Sequence, residues 1–131
     1  MKKILLYTLI GLLLGLWAPL GALLLLWFSP HSAPELPGFI ALQKQYEKQG
    51  LTVIGVSVDQ IQATEVKKFA QKSGMNYPVM LSDSNTDQAF GGIEAIPTTF
   101  VIDREGRIVK QHLGFTEKEE FEKEIKPLLN P

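Results

Sequence analysis

The run Ile96-Pro97-Thr98-Thr99-Phe100-Val101-Ile102-Asp103-Arg104-Glu105-Gly106 sets a proline ahead of six strand-forming residues and closes on a short polar turn. Thr98–Asp103 is rich in β-branched and apolar side chains and predicts a strand. Residues 107–113 predict a second strand. The intervening Arg104-Glu105-Gly106 is so short that the two must pair as an antiparallel hairpin, with Gly106 supplying the positive φ of such a turn.

Working outward, strand-like and helix-like segments alternate. Toward the amino terminus, residues 85–90 predict a turn or two of helix ending at Gly91-Gly92, and residues 77–81 a short strand. Residues 63–73 predict a helix with Val66, Phe69 and Ala70 on one face, stopped by Gly74. Residues 52–58 (TVIGVSV) predict a buried strand. Residues 34–49 carry Phe39, Leu42 and Tyr46 at helical spacing and end at Gly50; Pro37 and Gly38 predict a late or kinked start. Beyond the hairpin, Thr116 and Glu119 stand at capping-box spacing ahead of a helix that buries Phe121 and Ile125 and ends at Pro127. Parallel crossovers followed by a terminal hairpin and helix give an α/β chain: a mixed central sheet with helices on both faces.

The 131 residues suit one domain, and a formal charge of -1 gives no pull toward nucleic acid. No cysteine is present, which excludes disulfides, thiolate zinc sites and thiol chemistry as the sequence stands. His31 and His112 are the two histidines, without the clustered carboxylates a metal site needs, and no cofactor is expected.

Lys2 and Lys3 are the only charged residues before Glu35. As one helix, residues 4–28 would be about 37 Å long, enough to cross a bilayer, with the lysines inside and the rest outside. A secretory leader fits less well, because Leu16 or Leu20 would fall where cleavage wants a small residue. A buried core helix is the third reading. Pro19-Leu20-Gly21 predicts a turn, however, and the fold needs a central strand just before Ser29. The expected division is therefore an apolar signal or anchor segment over residues 1–20 and a domain over residues 21–131. Within these, a helix would reach Ala18 and residues 21–28 would form a strand.

Ser29-Pro30-His31-Ser32-Ala33-Pro34-Glu35-Leu36-Pro37 resembles the active-site stretch of bacterial membrane-anchored thiol–disulfide oxidoreductases, the TlpA-like members of the redoxin group. There a Cys-x-x-Cys is followed three residues later by Glu and then x-Pro. Anchoring on Glu35 and Pro37 sets Ser29 and Ser32 at the two cysteine positions. Gly55-Val56-Ser57-Val58-Asp59 resembles the family's second strand, and Ile96–Asp103 with Gly106 is its most recognisable signature. The similarity covers about three quarters of the chain. The cysteines are replaced, and the strands that precede the core strand in that family have no counterpart.

The resemblance implies a thioredoxin-like fold with a cis peptide before Pro97, lying against the Ser29–Ser32 motif. It implies that Ile96 pairs with extended substrate, and that Pro30 and His31 form the variable spacer at the substrate surface. Glu35 corresponds to the family's acid. Ser29, Ser32 and Glu35 are thus the catalytic positions, with Pro30, His31, Ile96 and Pro97 on the substrate side, and exported proteins or peptides are the partners. The function implied is a membrane-tethered, extracytoplasmic reductant of disulfides.

Chemistry limits that implication. A dithiol at a helix start owes its reactivity to orphan N–H groups and the positive end of the dipole. A serine there keeps the shape but ionises too weakly to replace a thiolate, and it forms no disulfide. Read by themselves, Ser29 and Ser32 suit helix capping. Without a thiol to tune, Glu35 is expected as a first-turn residue complementing the dipole, and His31 and His112 as solvated side chains. Two alternatives stand beside the redox reading. One is a non-catalytic module that holds extended polypeptide beside Pro97. The other is a peroxiredoxin relative, with Ser32 and Glu35 in a Cys-x-x-Glu pattern and Ser29 as helper hydroxyl; Leu25 stands where that pattern wants proline.

Overall fold

The computed structural model describes residues 21–30, 34–59 and 61–129. The expected helix up to Ala18, with the reading of residues 1–20 as an anchor, lies outside them, as do His31 and Ser32.

The elements follow in the order β1 (Ala22–Phe28), α1 (Leu36–Tyr46), β2 (Leu51–Ser57), α2 (Ala63–Lys72), β3 (Val79–Leu81), α3 (Ser84–Ala89), β4 (Thr98–Asp103), β5 (Ile108–Leu113) and α4 (Lys118–Ile125). They build one five-stranded sheet in the order β3-β2-β1-β4-β5. β1 is its centre, parallel to β2 and antiparallel to β4, and every one of its residues is buried. That position explains its composition. A strand covered on both faces has no use for alternation, so ALLLLWF is apolar throughout.

Each face takes alternate residues of β1. Ala22, Leu24, Leu26 and Phe28 join Leu36, Phe39 and Leu42 of α1 and Phe121 and Ile125 of α4 in one core. Phe69 of α2 stacks on Phe28 from the same side. Leu23, Leu25 and Trp27 face the other way, among Ile54, Val56, Phe100, Ile102 and Phe90. There Asp87 of α3 accepts the Trp27 indole N–H at 2.7 Å and the Ser82 hydroxyl at 2.6 Å, fastening the small helix to the sheet. The expected mixed sheet with helices on both faces is therefore present. Buried Gln43 locks α1 to β2, donating to the Leu51 carbonyl at 3.3 Å and accepting the Val53 N–H at 2.7 Å.

Pro37 falls in the first turn of α1, where a missing N–H costs nothing, and the helix starts late as its prolines suggest. The capping box does not form. Residue 117, not Thr116, caps α4, and it does so without a side-chain hydrogen bond. Thr116 is instead left in the loop between β5 and α4, where it serves the site described next.

Candidate functional site

The carboxyl end of β1 and the amino end of β4 lie at one end of the sheet. The β1–β4 register runs as far as Trp27 opposite Thr98, so Ser29, two residues beyond Trp27, and Ile96-Pro97, just ahead of Thr98, lie at the same end of two adjacent strands. The Ile96–Pro97 peptide is cis, as the resemblance implies. Its surroundings are tied down by the Gly114 N–H, which donates to the Pro97 carbonyl at 2.8 Å, and by the Thr98 hydroxyl, which donates to the Ala95 carbonyl at 2.6 Å.

Ser29 and Pro30 are half-buried. The Ser29 hydroxyl donates to Asp59 Oδ1 at 3.0 Å. Asp59 stands just past β2, where the Val58 N–H reaches the Phe28 carbonyl at 3.0 Å. It received no role from the sequence, although it ends the quoted 55–59 segment; a polar residue just past a buried parallel strand was the available signal. Around the cis peptide, Ile96, Leu113 and Phe115 are large apolar side chains 38%, 58% and 53% exposed.

Glu35 departs from its expected place. It is not a solvated first-turn residue: it precedes α1 in helical conformation, caps nothing and is only 6% exposed. Its carboxyl turns inward, where burial pushes its pKa up to about 7; the Thr116 backbone N–H works against that rise by donating to it. A cavity of about 120 Å³ lies beside it, walled by Phe39, Phe115 and Phe121 with Glu117 and Lys118. Tyr77, also buried, has its phenol pushed up by burial and then by the Glu35 charge.

His112 is a second correction. It is not solvated: its side chain is 11% exposed, its Nε2 lies 2.7 Å from Glu124 Oε2, and its ring meets Phe121 edge-on at 4.8 Å. Its Nδ1 lies 3.4 Å from the Thr116 hydroxyl. The loop whose N–H reaches Glu35 is thereby held from both sides. Of the positions singled out in the sequence, Ser29, Pro30, Ile96 and Pro97 lie at the same end of the paired β1 and β4 strands. Glu35 lies in the layer beneath α1, and His31 and Ser32 are outside the described residues.

This geometry has counterparts. The chain is 34% identical over 113 residues to the thiol-disulfide oxidoreductase ResA of Halalkalibacterium halodurans, covering 82% of this chain and 63% of that protein. The chain thus spans less than two thirds of the length of the curated relatives it matches. Among solved structures it resembles a thiol:disulfide interchange protein of the thioredoxin family from Chlorobium tepidum, with 31% identity, a TM-score of 0.74, and 82% and 79% of the two chains covered. A secreted thiol-disulfide isomerase from Corynebacterium glutamicum shares the fold at 23% identity and a TM-score of 0.75, over 82% of this chain and 70% of that one. Residues 21–111 match the AhpC/TSA family. With residues 21–111 matched, and a cis Ile96–Pro97 peptide on a thioredoxin-like sheet, this chain belongs to the AhpC/TSA family.

Proposed function

We propose that the chain is a membrane-tethered, extracytoplasmic thioredoxin-like protein of the thiol–disulfide oxidoreductase type, redox-inactive as written because hydroxyls occupy both thiol positions. The observation that supports this reading is Ser29, directly after β1, at the same end of the paired β1 and β4 strands as the cis Ile96–Pro97 peptide. Ser29 and Ser32 are the substituted catalytic positions, and Glu35, buried ahead of α1, is the family's acid. Pro30, His31, Ile96 and Pro97 form the surface that receives exported protein or peptide substrates. Residues 21–131 form the domain, and residues 1–20, with two lysines before an apolar run, form the signal or anchor segment. Among the described residues no helix is long and apolar enough to cross a membrane.

Restoring the thiols tests the redox reading. Ser29→Cys combined with Ser32→Cys is expected to reduce insulin disulfides in the presence of dithiothreitol, at rates well above reductant alone. A folded double variant that forms no internal disulfide and accelerates nothing would refute it.

The exposure of Ile96, Leu113 and Phe115 favours a second reading, in which the unmodified chain holds extended polypeptide without covalent chemistry. Binding of an unfolded, apolar-rich polypeptide that Ile96→Asp abolishes would support it. Equal binding by both forms would remove it.

A further inference from the structure

The loop between β5 and α4, which carries Phe115 past the cis-proline, is held by little packing. Gly114 turns the chain at a φ of +83°, and a methyl group built on it would meet nothing within 4 Å. Phe115 is more than half exposed, and both it and Thr116 border the cavity of about 120 Å³. A segment with open space around it gains few dispersion contacts, and it opens locally unless polar contacts fix it. Here the Gly114 N–H donates to the Pro97 carbonyl at 2.8 Å, and the Thr116 N–H reaches Glu35. The Thr116 hydroxyl lies 3.4 Å from His112 Nδ1.

His112 is built to be the fixed end of that last contact. It sits on β5 opposite Thr99, with its ring edge-on to Phe121 of α4 at 4.8 Å. Its Nε2 lies 2.7 Å from Glu124 Oε2, and both side chains are largely buried. A strand and a helix together therefore set the plane of the ring. An ionised carboxylate only accepts, so Nε2 carries the proton and Nδ1 is the atom turned to Thr116. In a neutral imidazole Nδ1 accepts the Thr116 O–H; in an imidazolium it donates to the same oxygen. The contact survives in either charge state. Phenylalanine would fill the place of the ring against Phe121 but reach neither partner.

We propose that His112, fixed by Glu124, is a positioning residue: through the Thr116 hydroxyl it latches the loop of residues 114–117. The latch keeps Phe115 at the cis-proline end of the sheet, with Ile96 and Leu113, as a preformed apolar surface for extended polypeptide. What that surface receives rests on the second reading above; the latch itself does not. A loop already in place spares the ligand the cost of ordering it, which is where the latch acts on affinity. Neither Ser29 nor Ser32 takes part.

The test is amide hydrogen exchange at Gly114, followed by NMR on the full chain in detergent, for the unmodified protein, Thr116→Val, Thr116→Ser and His112→Phe. Valine keeps the branched shape without the hydroxyl, and serine keeps the hydroxyl; the Thr116 N–H is common to all. Thr116→Val and His112→Phe should exchange at least about fivefold faster than the unmodified chain, and Thr116→Ser at close to its rate. A folded Thr116→Val protein with an unmoved rate would overturn the proposal, and so would Thr116→Ser exchanging as fast as Thr116→Val. Carboxymethylated α-lactalbumin, a permanently unfolded polypeptide, should bind Thr116→Val about threefold to tenfold more weakly than Thr116→Ser. If the unmodified chain binds none of it, the polypeptide reading fails, and the exchange rates still decide the latch. In the unmodified protein, nitrogen-15 shifts of the neutral His112 ring should place its proton on Nε2. A proton on Nδ1 would overturn the proposal even if no variant folded.

Discussion

Replacing Glu35 by glutamine should flatten the pH dependence of stability between about 4.5 and 7. The carboxyl, 6% exposed, is raised from its ordinary 4.5 to about 7, first by burial and in spite of the Thr116 N–H. The folded chain therefore holds this proton more tightly than the unfolded chain. Unfolding releases it across the window between the two values. The sign follows: the folded state has its full advantage below 4.5, loses it as pH rises, and carries the whole cost of a buried carboxylate above 7. Moving a carboxyl that far corresponds to a ceiling of roughly 3 kcal/mol. Urea unfolding followed by circular dichroism at pH 4.5, 6, 7 and 8 should show the wild type weakening relative to Glu35→Gln toward that ceiling. The amide adds an offset, but one that does not vary with pH. Parallel curves for the two proteins would refute the reasoning, because they would mean that Glu35 titrates alike in both states.

Gly55→Ala places a methyl 3.0 Å from Phe28 Cε1 in the core, and should cost about 1–3 kcal/mol in the same assay. Gln43→Ala strips the buried Leu51 carbonyl and Val53 N–H of their shared partner, and should cost about 2–4 kcal/mol. At Asp103, burial opposes the charge, but the Arg107 backbone and side-chain donors and the Glu105 N–H outweigh it and hold the pKa below 3.8. Its contribution is present above that value and fades as pH falls further. Asp103→Asn should therefore lose about 1–3 kcal/mol at pH 7 and show a shallower acid transition by circular dichroism. Leu42→Ala, at a fully buried position of α1, should lower stability by about 2–5 kcal/mol, with urea midpoints as the measure.

The β4–β5 hairpin was legible because its signal is local: a turn as short as residues 104–106 leaves one pairing open. The central strand was not settled in this way. Residues 22–28 are apolar throughout, which suits a strand covered on both faces and an extension of the preceding apolar run alike, and what favoured the strand was the need for one just before Ser29. The cis Ile96–Pro97 peptide followed from the resemblance that its neighbours carry.

Glu35, His112 and Thr116 were not legible in this way. Near a helix start, a glutamate reads as a dipole partner; that its carboxyl turns inward depends on burial and on the Thr116 N–H, which reaches it only after the sheet has assembled. A histidine on an edge strand reads as solvated until α4 brings Glu124 and Phe121 against it. Thr116 has capping-box spacing, yet the chain leaves it in the loop, where its N–H serves Glu35 instead of a helix. By itself, the sequence determined the β4–β5 hairpin and the crossovers, because apolar period and turn length act over a few residues; the placement of Ser29 toward Pro97 came only with the family resemblance. Tertiary structure alone decided which polar groups are buried and paired, because the free energy of a charge depends on every atom packed around it, and those atoms come from distant parts of the chain.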